Sequence, residues 1–323
     1  MPKKILVTGA AGFIGFHVAK ALAARGDHVL GYDNFNPYYS VSLKEQRAEQ
    51  LAPLGVKVIR GEICDREGLL SAARPFAPTH CLHLAAEAGI RYGLDHPNLF
   101  VHSNLDGFIS ILELCRTLNL PLLYASSSSV YGNNKKIPYA VEDPTDAPFS
   151  LYGATKKCNE LLAHAYHQCF GFPCTALRYF TVYGPWSRPD MATWLFADRI
   201  LAGEPITLFN HGKMERDFTH IDDIVQGTLL ALDHGAPFEV FNLGSGTTIP
   251  LGGLVDLLEH NLGREAIRKL APMPAGEVVA TCADNSKAEQ LLGYRPQVDI
   301  ESGIGDFSDW LVEYRERQRA APV

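Results

Sequence analysis

The chain has 323 residues, 46% hydrophobic and 20% charged, a globular composition with room for about two domains at roughly 150 residues each. With 29 Lys and Arg against 36 Asp and Glu, its formal net charge is −7, which opposes generic binding to a phosphate backbone but leaves a local anion site open. No apolar run approaches the roughly 18 residues of a membrane-spanning helix, so a spanning protein is excluded.

Residues 4–8 (KILVT) read as a first strand rather than part of a leader, because Gly9, Gly12 and Gly15 break the apolar stretch that follows. Helical periodicity runs over 12–25, and a strand pattern returns at 28–33. The alternation continues, with strands expected at 56–61, 80–85, 121–125 and 174–178 and helices over 41–51, 66–74, 97–118 and 150–171. This rhythm implies an α/β fold, a Rossmann doubly wound parallel sheet whose apolar strands are covered on both faces. From about Gly184 prolines and glycines become frequent and the elements shorten, with helices expected at 190–202, 222–233, 251–262 and 300–315. The expected division is a cofactor-binding domain at 1–182 and a smaller C-terminal α/β substrate domain at 183–323, parts of which return to the first. A ligand is expected in the cleft between them.

Seven cysteines (Cys64, Cys81, Cys115, Cys158, Cys169, Cys174 and Cys282) are scattered, odd in number and never spaced C-x-x-C. They read as reduced thiols of a cytoplasmic protein. His164 and His167 share a helix face but lack a third ligand, so no metal is expected.

Directly after the first strand stands Gly9-Ala10-Ala11-Gly12-Phe13-Ile14-Gly15, three glycines at G-x-x-G-x-x-G spacing running into a helix. Glycines permit a tight turn and close approach of a pyrophosphate, and the helix N-terminus adds free N–H groups and its positive dipole end. Asp33 ends the second strand, where a carboxylate accepts from the adenosine ribose and repels a 2′-phosphate. No Arg or Lys follows it before Lys44, so NAD is expected over NADP. Asp65, after the third strand, reads either as an adenine contact or as an ordinary loop acid.

Tyr152 and Lys156 are spaced i and i+4 on one helix face. A phenol with its ordinary pKa of about 10 is a poor base, and a neighbouring ammonium brings it toward neutrality. The serines at 126–129 follow the strand at 121–125, where a hydroxyl faces the cofactor crevice. Together these motifs mark a site for oxidation and reduction of an alcohol.

With these motifs the chain resembles the extended short-chain dehydrogenase/reductase family of nucleotide-sugar epimerases and dehydratases, over about residues 4–314. The resemblance rests on residues 8–15 (TGAAGFIG), 83–86 (HLAA), 126–132 (SSSSVYG), 152–156 (YGATK), 216–223 (RDFTHIDD) and 292–296 (LGYRP). It implies Ser127, Tyr152 and Lys156 as the catalytic residues. It places Gly9, Gly12, Phe13, Ile14, Gly15, Asp33, Asn34, Leu84, Ala85, Ala86 and Asn104 around NAD, with Tyr152 and Lys156. Arg216 is implied against a substrate diphosphate and Glu277 against the uridine ribose.

Dehydratases of this family carry an acid pair before the VYG block; Ser128 and Ser129 stand there instead, which disfavours elimination. Residues 33–39 (DNFNPYY), 85–92 (AAEAGIRY) and 178–192 (RYFTVYGPWSRPDMA) are similar to the UDP-glucuronate 4-epimerase branch. Ser127, Ser128, Thr181 and Arg188 suit a carboxylate on the sugar C5. The resemblance thus implies NAD-dependent C4 epimerisation of a UDP-hexuronate by a homodimer joined through the helices at 97–118 and 150–171, with no nucleic-acid or membrane partner. Glu87 stands where the branch has Gln; it lies either beside the sugar, opposing a uronate, or toward solvent. A neutral UDP-hexose 4-epimerase, a UDP-glucuronate decarboxylase and an NAD(H)-sensing binding protein are the competing readings, and retention of Ser127, Tyr152 and Lys156 weighs against the last.

Overall fold

The structure, a computed structural model, describes residues 2–273 and 278–320. Seven strands build one sheet: β1 (Lys4–Thr8), β2 (His28–Asp33), β3 (Lys57–Arg60), β4 (His80–His83), β5 (Leu122–Ser127), β6 (Cys174–Tyr179) and β7 (Phe238–Leu243). All neighbours are parallel, in the order β7-β6-β5-β4-β1-β2-β3. The chain runs outward from β1 to β3 and then crosses to β4 on the other side of β1. That reversal opens a crevice at the C-terminal ends of β1 and β4, where an open α/β sheet binds its ligand.

Burial on both faces explains the continuous apolar run of β1. Ile5 and Val7 join the core with Val18, Leu22 and Ile224 on one face, while Leu6 joins Phe108, Ile111 and Leu112 on the other. The helices fall within a few residues of expectation, and those at Val41–Leu51 and Leu251–Leu262 have the expected bounds. The run 97–118 is continuous but contains a π-helical turn at His102–Asp106. Ser150 caps the Leu151–Phe170 helix by accepting the Gly153 N–H at 3.0 Å.

Among the elements not expected are the helices Ile90–Asp95 and Ser286–Leu292, strand β7, and short strand pairs such as Thr181–Tyr183 with Phe218–His220. β7 lies beside β6, and the preceding helix Ile221–His234 packs on the Phe13–Ala24 helix. The segment 221–243 therefore belongs to the large sheet layer. A second, smaller core gathers Trp194, Ile200, Leu254, Leu258, Phe307 and Leu311 from the helices Ala192–Ala202, Leu251–Leu262 and Ile300–Ala320. Among the described residues, no helix is long and apolar enough to cross a membrane, and no cluster of three or more His, Cys, Asp or Glu is placed to hold a metal.

Candidate active site

The crevice begins at the glycine loop. Gly9 adopts φ +73°, and a Cβ there would lie 2.7 Å from the Ala85 backbone nitrogen; a Cβ on Gly15 would lie 2.0 Å from the Gly9 carbonyl. The loop is thus pressed between the Phe13–Ala24 helix and the end of β4, with Leu84, Ala85 and Ala86 in the opposite wall. Gly12 begins that helix without a side-chain cap, and no acid stands in its first turn. Free N–H groups and the positive dipole end face the cleft, so the cradle fits a pyrophosphate. The Gly9→Ala variant is expected to purify without bound nucleotide; a full complement of NAD, measured after acid release, would refute that role.

Asp33 lines the same cleft and also braces the loop. Its Oδ2 accepts from the Ala11 N–H at 3.0 Å and its Oδ1 from the Phe35 N–H at 2.8 Å, while burial pushes its pKa up. Asn34 donates to Glu62 Oε2 at 2.8 Å, and Glu62 and Ile63 line the cleft with it. Asp65 is not among the cleft-lining residues: its Oδ1 accepts the Gly68 N–H at 3.0 Å and caps the Arg66–Phe76 helix. Of its two readings the structure favours the helix-loop acid.

The reacting groups stand where β5 meets the Leu151–Phe170 helix. Ser127 ends β5 and donates from its hydroxyl to Ser129 Oγ at 3.1 Å, and Ser127 and Tyr152 both line the cleft. Lys156 is buried, donates from Nζ to the Ala125 carbonyl at 2.8 Å, and is pushed down to about 8 by desolvation. Burial raises the Tyr152 phenol above its ordinary value, while first the Arg188 charge and then the Ser127 hydrogen bond draw it down. Lys156 Nζ lies 5.9 Å from the Tyr152 ring centroid. Arg188 is thus a second cation acting on the phenol, one that the i, i+4 spacing does not contain.

Asn104 sits in the π-turn and faces the scaffold. Its Oδ1 accepts the Glu87 N–H at 2.9 Å, and its Nδ2 donates to the Glu87 carbonyl at 2.9 Å and to Thr155 Oγ1 at 3.1 Å. It joins the cleft wall at Glu87 to the catalytic helix, a frequent use of a π-bulge, while its neighbour Ser103 lines the cleft. A second support lies beneath the serines. Arg178 grips Glu160 through Nε to Oε1 at 2.9 Å and Nη2 to Oε2 at 2.8 Å, and Ser126 Oγ donates to the same Oε1 at 2.6 Å.

At the far end, Ser128, Ser129 and Thr181 line both the main cleft and a smaller pocket bounded by Tyr139, Phe149 and Arg216. The two pockets therefore adjoin at the serine turn. Arg216 Nη1 donates to the Glu215 carbonyl at 2.9 Å. Beside it Asp217, fully buried, accepts from the Ser245 and Ala283 N–H groups at 2.7 and 2.9 Å and fixes that strand. Glu277 lies outside the described residues. Arg188 lines the main cleft and is ion-paired with Asp190, Nε to Oδ1 at 3.0 Å, while the Tyr38 hydroxyl donates to Asp190 Oδ2 at 3.0 Å.

Two cations at or behind the cleft wall, Arg47 and Lys44, carry no local sequence signal. Arg47, wholly buried, donates to the Ala11 carbonyl at 2.9 Å and to the Trp186 carbonyl at 2.7 Å, tying the glycine loop to the Arg188 loop. Lys44 Nζ donates to the Asn36 carbonyl at 2.6 Å. Glu87 is 6% exposed and lines the cleft, so the solvent-facing reading is excluded.

Comparison with known proteins agrees with this geometry. The family described as "NAD dependent epimerase/dehydratase family" matches residues 5–244. A relative from Arabidopsis thaliana, UDP-glucuronate 4-epimerase 4, is 46% identical over 98% of this chain and 77% of its own. The crystal structure of a Bacillus cereus UDP-glucuronic acid 4-epimerase with UDP-glucuronic acid and NAD superposes with a TM-score of 0.89 at 36% identity, covering 96% of this chain and 99% of that one. A Thermotoga maritima UDP-glucose 4-epimerase with UDP-glucose is similar at TM-score 0.88 and 29% identity, over 97% and 99% of the two chains.

Proposed function

Since the chain belongs to the NAD dependent epimerase/dehydratase family, we propose that it interconverts UDP-glucuronate and UDP-galacturonate by transient oxidation at C4. The observation that carries the reading is the convergence of Ser127, Tyr152 and Lys156 on the cleft between the glycine loop and the Ser128–Thr181–Arg188 wall. Residues 1–182 hold the cofactor and 183–323 the nucleotide sugar, with 221–243 returning to the sheet. The protein acts in the cytoplasm as a homodimer joined along the helices at 97–118 and 151–170, where Leu99, Val101 and Leu161 are exposed.

Bound NAD supplies the hydride acceptor at C4 and gives the hydride back to the opposite face. Tyr152, as phenolate, takes the C4 hydroxyl proton and returns it, while Ser127 hydrogen-bonds the reacting oxygen and holds it against Tyr152. Arg188 and Lys156 supply the positive charge that favours the phenolate. The 4-keto uronate is a β-keto acid, which loses CO₂ most readily when its C5–carboxylate bond stands perpendicular to the ketone plane. Ser128, Thr181 and Arg188 hold the carboxylate away from that geometry.

NMR of the purified protein with UDP-glucuronate is expected to show UDP-galacturonate and no UDP-pentose, while the Thr181→Ala and Arg188→Ala variants leak UDP-pentose. Turnover of UDP-glucose with none of UDP-glucuronate would sink the uronate reading. Two variants free of UDP-pentose would sink the carboxylate restraint alone.

A further inference from the structure

Glu87 is an acid in the lining of the cleft that no step above uses. Its carboxylate is anchored: Oε1 accepts from Asn36 Nδ2 at 2.6 Å, and Asn104 clamps its backbone from both sides. Burial pushes its pKa up, while Lys44, bonded to the same Asn36, and then Arg188 across the cleft draw it down, with Glu62 opposing them. Arg188 thus stands among Asp190, Glu87 and Lys44, and the four charges sum to zero. A carboxylate buried in a site for a multiply anionic ligand opposes every anion that enters. Yet the hydrogen bond from Asn36 needs only a carbonyl oxygen, which a glutamine supplies equally well. Neither the local fold nor the Asn36 contact calls for the charge.

We propose that Glu87 is a specificity-determining residue: its negative charge offsets Arg188 and sets how strongly the cleft prefers a carboxylate-bearing UDP-hexose over a neutral one. The inference rests on the uronate reading of the site. With glutamate present, the field of Arg188 is shared between the protein's own acids and the incoming carboxylate, which leaves room for a neutral hydroxymethyl group. With that charge removed, Arg188 and Lys44 are free to favour the uronate.

The test is calorimetric, on the NAD-loaded full chain, with UDP-glucuronate and UDP-glucose as separate ligands. E87Q is expected to raise the ratio of Kd for UDP-glucose to Kd for UDP-glucuronate about tenfold. E87D, which keeps the charge, is expected to stay near the parent ratio. Lys44→Met removes the opposite charge and is expected to move the ratio the other way; it decides the matter if E87Q fails to fold. A ratio unchanged in both E87Q and Lys44→Met overturns the proposal. The parent's own NMR assay separates the two levels: no epimerisation of UDP-glucuronate by the parent refutes the uronate reading, whereas epimerisation with an unmoved ratio refutes only the role of Glu87.

Discussion

Tyr152→Phe is expected to lower kcat by about 10² to 10⁴-fold, the range of a lost general acid–base group, with NAD content and substrate KM close to the parent values. The ring stays where it is, since the half-buried side chain is held by packing and phenylalanine keeps its shape. Only the oxygen that accepts the C4 proton goes. Ser127 is no substitute acceptor: its hydroxyl donates to Ser129 Oγ, and an alcohol is a far weaker base than a phenolate. Arg188 and Lys156 remain but have no anion to stabilise. Initial rates and NAD content measured on the same preparation separate the outcomes. A variant that keeps its NAD and retains a tenth or more of the parent kcat would show that another group carries the proton.

Much of this site was legible because its spacings are local. The glycine trio, Asp33 at the end of β2, and Tyr152 one turn before Lys156 each follow from a single strand, loop or helix. Asp65 stayed open in the sequence because a carboxylate just after a strand reads alike as a ligand contact and as a loop acid. The start of a helical stretch at 66 was the signal for the cap. β7 carries an ordinary strand pattern in FEVFNL, but the rise in Pro and Gly after Gly184 drew attention from it. The sequence offered Arg188 only as a carboxylate contact; its action on Tyr152, like the roles of Lys44 and Arg47, was out of reach for a different reason. Arg188 enters the cleft that Tyr152 lines because the 184–191 loop, with Trp186 at φ +60°, is tied by Arg47 to the glycine loop. No periodicity encodes such a contact. Glu87 was placed in chain order beside the cleft, and its direction became known only from Asn36, Lys44 and Arg188 around it.

Arg178→Met is expected to destabilise the protein by about 3–5 kcal/mol, the cost of stranding one partner of a buried ion pair. The Arg178 and Glu160 side chains are 5% and 7% exposed, and the guanidinium also donates to the Tyr131 hydroxyl at 2.9 Å and the Val141 carbonyl at 3.0 Å. Its removal leaves the Glu160 carboxylate in a dry interior with only Ser126 as a close donor and Lys157 at 4.0 Å. Urea unfolding reads that loss. The double variant Glu160→Leu/Arg178→Met removes both charges, and apolar replacement of a whole buried pair is often neutral or stabilising, so most of the stability is expected to return. Activity is expected not to return with it. Ser126 loses Glu160, and Tyr131 loses the guanidinium and keeps only Asn242, which loosens the end of β5 and the turn at Ser128–Tyr131 and with them the placement of Ser127. A double variant as stable as the parent but at least tenfold slower assigns the network to positioning the serines. Full kcat in that variant would mean that Ser127 is held by the sheet alone.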